Sequence, residues 1–110
     1  MGACNFRTLS FGKTAKDAYI EACRDVEEYS GNDGYNGTIS TTSDFCLKTD
    51  APKYGTKAFD KWEAAWLDSA EKRDCVAVEV KGTAAKNFKE RNGYKGKHGN
   101  VYCFIGWAAE

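Results

Sequence analysis

The apolar residues between Thr14 and Tyr29 recur with the spacing of one face of an α-helix. The members of this stripe are Ala15, Ala18, Tyr19, Ala22, Cys23 and Val26. Thr14 and Asp17 form a T-x-x-D pattern, which is typical of a helix N-terminus. The sequence therefore predicts an amphipathic helix over Thr14–Tyr29, and the fold must supply an apolar surface that covers one side of it.

Other segments show the period and composition of β-strands. Val76, Val78 and Val80 alternate along one predicted strand, which places all three on the same face. β-Branched, aromatic and cysteine residues mark the remaining runs, and glycine-rich or polar segments bound them. The predicted strands are Ala3–Phe11, Thr38–Thr42, Cys75–Val80 and Val101–Trp107.

The remaining segments complete a predicted α+β fold. A second helix over Thr56–Glu71 places Phe59, Trp62 and Trp66 on one stripe, and a short helix is predicted over Thr83–Glu90. We predict turns or loops at Gly31–Gly37, beyond Cys46 up to Gly55, and around Gly93, Gly96 and Gly99. The order of elements favours an antiparallel sheet of about four strands with the two main helices packed on one side.

Chain length and cysteine content limit the organisation and the location of the protein. A chain of 110 residues has room for one hydrophobic core, so we expect a single domain over residues 1–110. Its first residues lack a secretory pattern, and no stretch is apolar enough to cross a membrane. Five cysteines, an odd number, favour reduced thiols that serve mainly as core residues in a cytoplasmic protein.

Charge is distributed unevenly, although the net charge is zero. Between Asp17 and Asp33 six carboxylates face one cation, Arg24. This pattern fits a solvated outer helix face, and it also fits a patch that contacts a basic protein surface and selects partners. On the second interpretation the partner-binding residues are Asp17, Glu21, Asp25, Glu27, Glu28 and Asp33.

A basic segment follows between Lys81 and His98, where six Lys or Arg residues face only Glu90. It is either a solvated loop or an alternative nucleic-acid-binding module that contacts phosphates. In that module Tyr94 would stack on a base. The candidate residues are Lys86, Lys89, Arg91, Tyr94, Lys95 and Lys97.

Catalytic and metal chemistry find little support in the residue pattern. His98 is the only histidine, and nothing near it selects a nucleophile, so we expect no enzyme and no catalytic residues. Closely spaced C-x₂-C or H-x₃-H pairs, which mark zinc sites, do not occur. A structural zinc site is therefore the weaker alternative to core cysteines, and no other cofactor is expected. Its ligands would be Cys4, Cys46, His98 and Cys103.

Several short motifs resemble small uncharacterised proteins of bacteriophages and mobile elements. They are Gly2-Ala3-Cys4-Asn5-Phe6, the run from Phe11 to Tyr19, the run from Tyr35 to Thr42, and Phe104-Ile105-Gly106-Trp107-Ala108. Phage domains of this size are similar to anti-defence proteins, including anti-CRISPR inhibitors. The resemblance implies an inhibitor that works in the bacterial host cell by docking on a nucleic-acid-targeting complex, such as a CRISPR-associated nuclease, without doing chemistry.

Overall fold

The structure is a computed structural model that describes residues 3–30, 39–42 and 44–109, without the side chains of residues 27–30, 40 and 109. Strands and helices alternate along much of the chain. The elements are β1 (Ala3–Gly12), α1 (Ala15–Ser30), a 3₁₀ turn (Ile39–Thr41), β2 (Cys46–Lys48), α2 (Lys57–Ser69), β3 (Cys75–Val80), α3 (Thr83–Arg91) and β4 (Asn100–Ala109).

The described strands form one sheet in the order β1-β4-β3-β2. β1 and β4 pair antiparallel over ten residues each, from Ala3 opposite Ala109 to Gly12 opposite Asn100. β3 is also antiparallel to β4, whereas β2 runs parallel to β3, with α2 as the crossover between them. The predicted α+β class with four strands is confirmed, and the sheet is mixed rather than strictly antiparallel.

Both faces of the sheet carry apolar side chains. On one face Cys75, Ala77, Tyr102 and Phe104 pack with α1 and Ile39, and on the other the valines of β3 pack with Phe59 of α2. Because successive strand residues point to opposite faces, α1 and α2 lie on opposite sides of the sheet. The prediction that both main helices pack on one side is therefore wrong.

The main predicted helices and strands are confirmed with small shifts at their ends. In α2 the Thr56 hydroxyl accepts a hydrogen bond from the Phe59 amide at 3.2 Å, so the helix begins with a side-chain cap. Phe59 is completely buried, and Trp62 and Trp66 are half-buried against the same cluster. Phe59 is thus the core residue of the predicted stripe, and the two tryptophans pack at the edge of its cluster.

Two predictions about the segment between α1 and α2 are wrong. Residues 39–41 form a 3₁₀ turn instead of the strand Thr38–Thr42, because the Thr42 amide and hydroxyl both donate to the Ile39 carbonyl. The predicted loop beyond Cys46, up to Gly55, contains Leu47 and Lys48 of strand β2. Thr38 and the predicted turn Gly31–Gly37 lie outside the described residues. In the described part of the chain, no helix has the length and apolar character needed to span a membrane.

Candidate functional site

The outer face of α1 combines carboxylates with an exposed aliphatic side chain. Asp17 and Asp25 are exposed, Glu21 is half-buried, and Arg24 lies 3.3 Å from Glu21 in an ion pair. Ile20 is 44% exposed, although large apolar side chains in the described residues are mostly covered. Of the other predicted partner-binding residues, Glu27 and Glu28 belong to α1 but their side chains are not described, and Asp33 lies outside the described residues.

The opposite face of α1 fixes the helix to the sheet. Ala15, Ala18 and Ala22 are buried there, and the Ser10 hydroxyl of β1 donates a 2.7 Å hydrogen bond to the Ala18 carbonyl. Gly12 is needed at the start of this contact, because a Cβ atom there would collide with the backbone of Ala18. The orientation of the outer face is thus set by close backbone packing.

Tyr94 anchors the loop that follows α3. Its ring stacks on Phe11 with centroids 4.4 Å apart and lies nearly parallel to Phe88. The Tyr94 amide donates to the Lys89 carbonyl at 2.8 Å, and the Lys89 ammonium donates to the Lys97 carbonyl at 3.0 Å. Tyr94 therefore has a structural role in the folded chain, with its ring engaged by other protein groups rather than standing free as a platform for a base.

The predicted nucleic-acid-binding residues line three different pockets. Lys86, Lys89 and Lys95 line a pocket of about 370 Å³ between α3 and the following loop. Arg91 points to a separate pocket beside Leu9 and Tyr54, and Lys97 lines a third one near α1. The structure therefore places three of the predicted cations in one pocket, whereas Arg91 and Lys97 line two others.

The acidic and basic sequence segments meet at one groove of about 770 Å³. Asp17 and Glu21 of α1 line it together with Lys97 and His98 of the loop after α3. Phe11, Gly12, Lys13, Tyr94 and Gly96 complete its lining. Opposite charges that are far apart in sequence are therefore neighbours at the α1 end of this groove.

The sequence did not single out Lys48 and Lys53 beside the first pocket, and it placed Lys81 in the basic segment without naming it a candidate residue. Lys48 ends strand β2, Lys53 lies in the loop after it, and Lys81 directly follows β3. All three line a second pocket of about 480 Å³. Lys81 borders both pockets, as does Glu79. The pairing of β2 with β3 creates this proximity, and the segment from Cys46 to Gly55 carries no periodic signal that would have predicted it.

The predicted zinc ligands are not brought together. Cys4 is opposite Ala108 at one end of the β1-β4 pair, whereas Cys103 is opposite Leu9, and Cys46 is opposite Val76 on the other edge of the sheet. His98 lies in the exposed loop before β4. Within residues 3–30, 39–42 and 44–109, no group of three or more His, Cys, Asp or Glu side chains could hold a metal ion.

The cysteines on the central strands are poor nucleophiles. Burial raises the pKa of the Cys103 thiol to about 12, and burial also raises the pKa of the Cys75 thiol. The thiolate is the reactive form, so both residues behave as small core side chains, as predicted. Cys46, in contrast, is exposed on the edge strand.

Comparison with protein families, curated proteins and solved structures gives no significant match. The resemblance to phage proteins therefore stays a prediction.

Proposed function

We propose that this protein is a small phage or mobile-element binding protein whose helix α1 docks on a basic surface of a host nucleic-acid-targeting complex. It blocks that complex by protein contact, as an anti-CRISPR inhibitor blocks a CRISPR-associated nuclease. The observation that carries the proposal is Ile20, exposed on the same helix face that presents Asp17 and Glu21.

The combination of charge and apolar area on α1 suits a protein interface. Protein interfaces bury apolar side chains at their centre and keep polar groups at the rim. Ile20 supplies an aliphatic group, while Asp17 and Glu21 supply carboxylates that steer a basic partner and exclude an acidic one. A purely solvated helix face would need no side chain like Ile20, although single exposed apolar residues also occur on ordinary surfaces.

The partner class follows from charge complementarity. Complexes that hold nucleic acid do so in positively charged channels that contact its backbone. A rigid helix face with carboxylates at Asp17, Glu21 and Asp25 presents negative groups to such a channel. An inhibitor of this kind needs an oriented surface and no reactive group, which agrees with the buried, unreactive thiols of Cys75 and Cys103.

The experiment is a direct binding and inhibition assay with purified CRISPR-associated nucleases and other nucleic-acid-targeting defence complexes. The variant Ile20→Ser/Glu21→Lys/Asp25→Lys should lose at least about tenfold in affinity for the complex that the wild-type protein inhibits. Asp50→Lys/Asp68→Lys is the matched control, because both carboxylates are exposed and lie outside α1. Equal loss in the control, or no complex bound by the wild-type protein, would contradict the proposal.

A further inference from the structure

Two pockets with shared lining residues lie side by side at one end of the sheet. The first, of about 370 Å³, lies between α3 and the loop before β4. The second, of about 480 Å³, lies between β3 and the loop after β2. Glu79 and Lys81 line both pockets, so the two depressions meet at the end of β3. We call this combined feature the lysine trough.

Cations dominate the lining of the lysine trough. It carries six ammonium groups and two carboxylates, Glu79 and Glu90. The lysines are Lys48, Lys53, Lys81, Lys86, Lys89 and Lys95. In the described part of the chain, none of these lysines forms an ion pair with a carboxylate. Several like charges around one concave surface produce a positive potential that attracts anions.

Backbone geometry holds the walls of the trough in place. Gly82, between β3 and α3, has a φ of 75°, and Gly96 in the opposite loop has a φ of 78°; other residues rarely adopt these conformations. The Lys53 ammonium approaches Gly82 so closely that a Cβ atom there would lie 3.8 Å from it. Lys89 donates to the Lys97 carbonyl, which fixes the loop and leaves its remaining N–H groups available.

The shape and chemistry of the trough select one class of ligand. Lysine binds phosphate as a point charge with several donors. The cations are spread over two connected pockets, so a ligand with at least two phosphoryl groups can contact more of them than a single phosphate can. Concave walls also favour a narrow chain of anionic groups over a flat protein surface.

We infer that the lysine trough binds a ligand with successive phosphoryl groups, either the backbone of a single-stranded nucleic acid or a short polyphosphate. This site differs from the sequence-predicted basic segment, because it includes Lys48 and Lys53 from outside that segment and leaves out Arg91, Tyr94 and Lys97. It is also separate from the α1 face in the proposed function, so each can fail without the other.

The test measures binding of a fluorescent oligothymidylate and of tripolyphosphate to the full chain between 50 mM and 200 mM salt. Lys81→Ala/Lys86→Ala should weaken binding about tenfold at low salt. It should also reduce the salt slope for the oligonucleotide by about 1.4, since each lost contact with a single strand removes about 0.7. Lys48→Ala/Lys53→Ala tests the second pocket in the same way.

The matched control is Lys57→Ala/Lys61→Ala, which removes the same charge from exposed positions on α2 outside the trough. Far-UV circular dichroism and the thermal midpoint confirm that each variant folds. Loss in the trough variants for the oligonucleotide alone supports the nucleic-acid source, and loss for tripolyphosphate as well supports recognition of the phosphoryl groups themselves. Equal loss in the control, or no binding of either probe by wild-type protein at low salt, would overturn the inference.

Discussion

The two faces of the sheet are packed in opposite ways. Under α1 the helix contributes small side chains, Ala15, Ala18 and Ala22, and the strand β4 contributes the large rings of Tyr102 and Phe104. On the other face the strands contribute valines, and α2 contributes the ring of Phe59 with two half-buried tryptophans. One face depends on the close approach of backbones and the other on the volume of a few rings. We therefore expect added atoms to destabilise the α1 face and lost atoms to destabilise the α2 face.

The largest effect is expected from removing volume on the α2 face. Phe59→Ala leaves a cavity between α2 and the sheet, because Phe59 is fully buried. The free energy of unfolding should fall by about 3–5 kcal/mol, as measured by urea denaturation. Phe59→Leu is the control and should lose less. A loss below about 1 kcal/mol for the alanine variant would show that α2 collapses onto the valines and that the face does not depend on this ring.

On the α1 face the damaging change is added volume. Ala18→Leu inserts three carbon atoms where Ala18 is fully buried beside Gly12 and Ser10. We expect the free energy of unfolding to fall by about 1–3 kcal/mol. Ala65→Leu on the exposed side of α2 is the matched control and should change stability by no more than about 0.5 kcal/mol. If both variants were equally stable, the close packing of α1 would have no energetic role.

The buried thiols allow the two faces to be compared through pH. The pKa of Cys103 rises from 9.0 to about 12 on folding because of burial, and the pKa of Cys75 on the α1 face also rises. Above pH 9 the unfolded chain loses these protons while the folded chain keeps them. The contribution of the two thiols to the free energy of unfolding is therefore fully present below pH 9. It falls as the pH approaches 12, by roughly 1.4 kcal/mol per pH unit for each thiol.

Denaturation curves at pH 8, 10 and 11 measure this dependence. Cys103→Val should remove the contribution of one thiol to the fall in the free energy of unfolding per pH unit above pH 9. Cys75→Val should do the same for the thiol on the other face. Cys46→Ser, which removes an exposed thiol, is the control for the loss of one cysteine. Identical slopes in all four proteins would mean that the thiols titrate alike in the folded and unfolded chains.

The smallest expected effect concerns a hydrogen bond at the rim of the α1 face. The Thr42 hydroxyl lies 2.7 Å from the Ile39 carbonyl and donates to it, so the Tyr19 hydroxyl, 2.6 Å from the Thr42 oxygen, is the donor in that second bond. Tyr19→Phe keeps the ring against Phe45 and Phe104 and should reduce stability by about 0.5–1.5 kcal/mol. Thr42→Val, which removes both bonds, should reduce it further. An unchanged urea midpoint for Tyr19→Phe would refute this contribution.

Local patterns predicted the elements better than their arrangement. The helical stripe under α1 and the valines of β3 are visible in sequence because each depends on a short-range period. The continuous apolar run from Val101 to Ile105 also signalled a strand buried on both faces, a signal that the one-sided prediction did not use.

Contacts between distant segments had no comparable signal. Strand β2 contains three residues, two of them exposed, and pairs with β3 across the whole of α2. At Ile39 the β-branched composition favoured a strand, but burial under α1 and the two bonds from Thr42 impose a tight turn. The sequence also marked Lys86 and Lys95 as part of a basic segment. Only the fold shows that their pocket adjoins the pocket of Lys48 and Lys53.

The position of β4 between β1 and β3 affects how the chain folds during synthesis. The ribosome makes β1 first among these strands and β4 last. β1 pairs with no described strand other than β4, and β3 has only the three-residue β2 besides β4. The nascent chain must therefore wait, with the apolar faces of α1 and β3 uncovered, until residues 100–109 have left the exit tunnel. Such long-range pairing slows folding and prolongs the exposure of aggregation-prone segments. Translation speed and chaperone access while residues 100–109 are being made should consequently influence the yield of native protein.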